Sequence, residues 1–172
     1  MVSQDHFTAV RDEMLSVRPQ AAYGAAMRER PALFLGLLAD QPELIAEVGA
    51  LRWRASGCRG TAGPWIAATA HDAGRSLPQT LVAMDLDGDV IGAVTLECTA
   101  GTLRMVHLVV RPGERLCGVG RLIVSAVEDL ARGHGHDRMV VALDADADFY
   151  RHCGWTASDD PSLLTKQLAG VG

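Results

Sequence analysis

One stretch constrains the chain more than any other: LRMVHLVVRPGERLCGVGRLIVSAVEDLA, residues 103–131. A β-rich run ends at Val110, glycines follow, and a helical pattern begins at once. Val119, Leu122, Ile123, Ala126, Val127 and Leu130 recur at helical spacing. They form one apolar face, with Arg121, Ser125, Glu128, Asp129 and Arg132 opposite and Gly133 as the expected stop. Glycines at a strand-to-helix junction let backbone approach a ligand closely. The unpaired N–H groups of the helix's first turn carry partial positive charge, so such a junction suits a phosphate.

Two nucleotide-binding patterns fail here. A P-loop needs Gly-Lys-Ser/Thr, whereas Gly120 is followed by Arg121 and Leu122. The dinucleotide fingerprint needs a small residue where Ile123 stands. What remains is Arg115-Leu116-Cys117-Gly118-Val119-Gly120 after a strand ending in Leu108-Val109-Val110-Arg111-Pro112.

Around this unit the pattern is mixed. Ala32 to Leu38 reads as a short strand, and Asp40-Gln41-Pro42-Glu43 starts a helix running to Ala55. A second helix is expected over Pro64 to Arg75. Leu81–Met84 and Val90–Leu96 flank Asp87-Gly88, a hairpin signal. Met139 to Leu143 reads as a buried strand, Asp146 to Cys153 as a short helix, and Leu163 to Leu168 as a last strand. Strands on both sides of a central helix make this a mixed α/β (α+β) domain.

With 172 residues, one domain with a real apolar core is expected over 31–172, preceded by a helical or irregular extension over 1–30. That extension is the candidate for a homodimer contact. Sixteen basic against twenty-one acidic residues give a net charge of −5. Neither nucleic acid nor an anionic membrane attracts such a surface, and the longest apolar run is far too short to span a bilayer. Four cysteines without a C-x-x-C pair, and no secretory signal, point to a reduced cytoplasmic protein without a structural zinc site. Asp144, Asp146 and Asp148 lack the glycine and glutamate of a calcium loop, and His134 with His136 lack a third ligand, so no metal is expected.

The loop, the strand before it and the downstream Phe149-Tyr150-Arg151-His152-Cys153-Gly154-Trp155 together resemble the GNAT superfamily of N-acetyltransferases. The resemblance runs from about Ala32 to the C-terminus. It implies a seven-stranded, mostly antiparallel sheet that splays between its fourth and fifth strands, with helices on both faces. It further implies acetyl-CoA as cosubstrate and no metal. The pyrophosphate would lie on the amides of Arg115, Leu116, Cys117, Gly118, Val119 and Gly120, and the pantetheine arm along Leu108, Val109 and Val110. Arg115 and Arg121 would add charge to the phosphates.

The resemblance also assigns chemistry. An amine near pKa 10 must lose a proton before it attacks a thioester, and the departing thiolate must gain one. Tyr150 matches the family's general acid, and an amide near Val109 would receive the developing oxyanion. The base departs from the pattern. Family members often carry an acid nine positions before the loop's arginine, where this chain has Val106. His107 is adjacent but, by strand alternation, faces away unless a bulge resets the register. Glu97 and a water chain are the other candidates. The expected activity is direct acetyl transfer to a small cationic amine such as a polyamine or aminoglycoside. A protein N-terminus or lysine is the next acceptor, and a non-catalytic acyl-CoA-binding module is the rival.

Overall fold

The computed structural model describes residues 33–73, 79–99, 102–143 and 146–168. The expected extension over 1–30, and Asp144, lie outside them. Strands are β1 (Phe34–Leu37), β2 (Gln79–Met84), β3 (Val90–Thr99), β4 (Thr102–Val110), β5 (Arg138–Ala142), β6 (Thr156–Ala157) and β7 (Leu163–Gln167). Helices are α1 (Ile45–Ala55), α2 (Gly63–Ala73), α3 (Val119–Gly133) and α4 (Ala147–His152). All seven strands join one sheet in the order β1-β2-β3-β4-β5-β7-β6. Every pairing is antiparallel except β4 with β5.

The sheet is buried on both faces. Leu81, Val94, Leu96, Leu103 and Met105 point to one side, where Val119, Ile123, Val127 and Ala131 of α3 cover them. Val82, Val90 and Ala93 point to the other, against Val48 and Leu51 of α1. These are the two faces that period-2 alternation generates in β2 and β3.

The register of β4 decides the site. Leu103, Arg104 and Met105 pair with Met139, Val140 and Val141 of β5, and no pair follows. The two strands therefore part after Met105. On its other edge, Val109 lies opposite Ala93 but Val106 opposite Thr95, so Val94 faces two residues, His107 and Leu108. This is a β-bulge, with His107 at φ +52°.

Two local expectations need correction. Helical periodicity puts Glu128 on the solvent face of α3, but it is buried at 6% exposure, with the Lys166 ammonium at 2.8 Å and Arg132 at 3.6 Å. Strand β7 brings Lys166 over that face, which helical periodicity alone does not register. Helix α3 also runs through Gly133, and its left-handed C-terminal residue is Gly135 at φ +77°. Gly135 N–H donates to the Arg132 carbonyl and His136 N–H to the Ala131 carbonyl, a Schellman end.

Candidate functional site

Where β4 and β5 part, a cleft of about 550 Å³ opens. Its walls include Val106, His107, Leu108 and Val109 from β4, Val141 and Ala142 from β5, and Tyr150 from α4. Arg52 and Trp65 close it from the α1 and α2 side, while Glu97 and Arg104 line the β3–β4 wall. A strand that loses its neighbour presents unpaired backbone groups, the requirement for an extended ligand to add alongside.

At the outer end of β4 the chain passes through a 3₁₀ turn, Pro112–Glu114, into Arg115–Gly118 and then α3. Gly118 adopts φ +88°, a conformation that costs a side chain dearly, and open space surrounds the position a β-carbon would take. Leu116 holds φ +65° with its side chain fully in solvent. Gly120 is a glycine for a different reason: a β-carbon there would lie 3.2 Å from the Phe149 ring. The loop is thus not plugged by side chains. The Arg115 amide, expected in the cradle, instead donates to the Pro112 carbonyl at 3.4 Å; among the described residues, no carbonyl or side chain accepts from the amides of Leu116 to Arg121. The first bond into the helix is Leu122 N–H to the Gly118 carbonyl, at 3.0 Å. Six consecutive donors at a helix N-terminus fit a pyrophosphate.

The flanking charges are partly committed. Arg115 Nε donates to the Val110 carbonyl at 3.4 Å, which ties the loop to the strand end. The Arg121 guanidinium lies against the Cys153 thiol, whose pKa burial raises. Cys117 is an exposed free thiol.

Tyr150 is 5% exposed, its ring 5.7 Å from Trp155 and 5.1 Å from Phe149, so packing fixes the phenol against the cleft. His107 shows what the bulge does. Strict alternation sends it to the α3 side, but the extra residue turns it toward the α1–α2 side, into the electrostatic reach of Arg52, Asp72 and Glu97. The ring remains open to the cleft, yet desolvation, and secondarily Arg52, hold its pKa below the usual histidine value. Asp72 and Glu97 oppose that shift more weakly.

Arg52 was not anticipated. It is 4% exposed, and its guanidinium donates to Thr69 Oγ1 (3.1 Å), Asp72 Oδ2 (3.2 Å), Thr80 Oγ1 (3.2 Å) and Thr95 Oγ1. One cation thereby ties α1 to α2, β2 and β3 beneath the cleft. The sequence held a signal: Arg52 follows Val48 and Leu51 at i+4 and i+1, placing a charge on the apolar stripe of α1. Arg104 was also missed, because in β4 it simply alternates with buried Leu103 and Met105. Glu97 lies directly across the ladder from it. Among the described residues no group of three or more His, Cys, Asp or Glu is arranged to hold a metal, and no helix is long and apolar enough to cross a membrane.

Comparison with known proteins agrees with this geometry. Residues 78–157 match the family described as the acetyltransferase (GNAT) domain. The match runs from β2 through the glycine loop to β6. The PaiA N-acetyltransferase from Thermoplasma acidophilum, solved with coenzyme A, superposes with a TM-score of 0.62 at 19% identity, covering 79% of this chain and 99% of that one. A GNAT family acetyltransferase from Brucella melitensis, solved with acetyl-CoA, gives 0.61 at 19% identity over 80% and 89%. Tetrahymena GCN5 gives 0.63 at 11% identity over 76% and 90%. No curated protein matches the chain in sequence.

Proposed function

We propose that the chain, whose residues 78–157 match the GNAT acetyltransferase domain, is an acetyl-CoA-dependent acyltransferase that acetylates the primary amine of a small molecule by direct transfer in a ternary complex. The observation that carries this reading is an adjacency along one strand. Leu108 and Val109 line the cleft with His107 and Tyr150, and β4 runs on through Val110 into the loop where, among the described residues, nothing accepts from the amides of Leu116–Arg121.

Acetyl-CoA supplies the activated acyl group, and the protein's residues supply position and protons. The amides of Leu116 to Gly120 bind the diphosphate, with Arg115 and Arg121 beside them. Leu108 to Val110 align the pantetheine arm, and an amide near Val109 donates to the carbonyl oxygen as charge builds there. His107 takes the ammonium proton of the acceptor. Its lowered pKa keeps the imidazole neutral at pH 7, the state a base requires. Glu97 is the alternative base from the same wall. The amine nitrogen then bonds to the acyl carbon, the carbon–sulfur bond breaks, Tyr150 gives its phenolic proton to the departing thiolate, and the surplus proton on the nitrogen restores the phenol. Proton for proton, the products are the acetamide, free thiol and one proton released to water.

Four free thiols, three of them exposed, support a reducing cytoplasmic setting. The test is a thermal shift with acetyl-CoA followed by an amine panel read by thiol release. Stabilisation by millimolar acetyl-CoA and turnover with at least one amine are expected. Stabilisation without turnover on any amine, peptide N-terminus or lysine favours a binding module instead, and no stabilisation discards the cofactor reading.

A further inference from the structure

The charges around the cleft are not all accounted for by the fold. Arg52 spends its charge on Asp72 and four of its donors on framework oxygens. Arg111, Arg132 and Arg151 each lie within 4 Å of at least one carboxylate. Arg104 differs. It is half-buried, it lines the cleft, and among the described residues no carboxylate forms an ion pair with it. Its Nε is fully buried with no acceptor, and the buried Nε of Arg52 on the same cleft is likewise unmatched. A guanidinium stays protonated at any working pH, so burial without a counter-ion is unfavourable in the free protein and relieved by an anion. Its planar fork suits a carboxylate or a phosphate.

Glu97 lies directly opposite Arg104 on β3 and on the same face. Cross-strand partners hold their β-carbons roughly 4.5–5.5 Å apart. Glu97 and Arg104 therefore offer an anion and a cation side by side, next to His107, and the two are not bonded to each other. That pattern complements a molecule bearing an ammonium and an anion a few bonds apart.

We propose that the acceptor is such a molecule, a small amine that also carries a carboxylate or phosphate, and that Arg104 binds the anionic group while the amine lies toward Glu97 and His107. This rests on the amine-acetylation reading above and narrows it away from purely cationic amines.

Matched pairs test it: an amino acid against its carboxamide, and phosphoethanolamine against ethanolamine, with thiol release measured for wild type, Arg104→Gln and Arg104→Lys. Coenzyme A affinity is measured in parallel. The anionic member of at least one pair should have a kcat/KM tenfold or more higher, chiefly through KM, and the winning pair tells carboxylate from phosphate. Arg104→Gln should raise that KM at least tenfold with coenzyme A affinity within twofold of wild type, and Arg104→Lys should recover part of the loss. Equal or better use of the neutral members by wild type overturns the proposal even if Arg104→Gln fails to fold. A preference that survives in folded Arg104→Gln overturns the role of Arg104. If no amine releases thiol while coenzyme A still binds, amine acetylation itself fails and this inference with it.

Discussion

The two ends of the proposed site, the glycine loop and the cleft, are built from different materials. The cofactor end is backbone: six amides from one continuous stretch, 116–121, shaped by φ angles and a helix start. The acceptor end is side chains, with Arg52 on α1, Glu97 on β3, Arg104 and His107 on β4, and Tyr150 on α4. A backbone site tolerates changes of side chain but not of conformation. A side-chain site reverses that sensitivity, and it can change its ligand without changing the fold.

The sharpest way to break the contrast is Tyr150→Phe. Losing a general acid should lower kcat by about 10²–10⁴-fold, while coenzyme A affinity stays within about twofold by titration calorimetry. A comparable loss in coenzyme A binding would mean that the phenol belongs to the cofactor end. Next comes Gly118→Val. A branched side chain at φ +88° is strained by roughly 1–3 kcal/mol, so coenzyme A affinity should fall about tenfold or more. The acceptor KM at saturating acetyl-CoA should hold.

A smaller effect is expected from pH. The folded pKa of His107 is lowered, so between that value and the usual 6.5 the folded protein holds fewer protons at this site than the unfolded chain. The base is therefore neutral, and kcat/KM for the acceptor level, above a midpoint lying below 6.5. Activity falls as pH drops through that midpoint, and stability falls over the same window. An acid limb centred above 6.5, or one that persists in His107→Gln, assigns the proton to another group. The least effect is expected from Cys117→Ser. The thiol is exposed and only its amide faces the cradle, so coenzyme A affinity should move by less than about twofold.

Much of the fold was legible because its cues are local. The apolar stripe of α3 and the buried run of β5 formed within a residue or two of the expected limits, and the Asp87-Gly88 hairpin formed with its second strand three residues longer than expected. The two-residue β6 is too short to have a period, and it exists only because β7 pairs with it. The junction proposed as the cradle was legible for the same reason as the hairpin. Glycines, a strand end and a helix start adjoin in the chain, and the physics of that junction needs no distant partner.

The acceptor end was not legible in the same way. His107 could be placed only conditionally, because strand alternation assigns its face and one extra residue in the β4 register reverses it. That extra residue is set by pairing with β3, not by the local run Met105–Val110. Arg52 meets partners 17 to 43 residues away, and Arg104 matters through what fails to pair with it. By itself, then, the sequence determined most of the strands and helices and a glycine-rich strand-to-helix junction, since propensity, periodicity and positive φ act over a few residues. Only the tertiary structure decided which charges line the cleft, because register, splay and burial are properties of strands and helices brought together from separate parts of the chain.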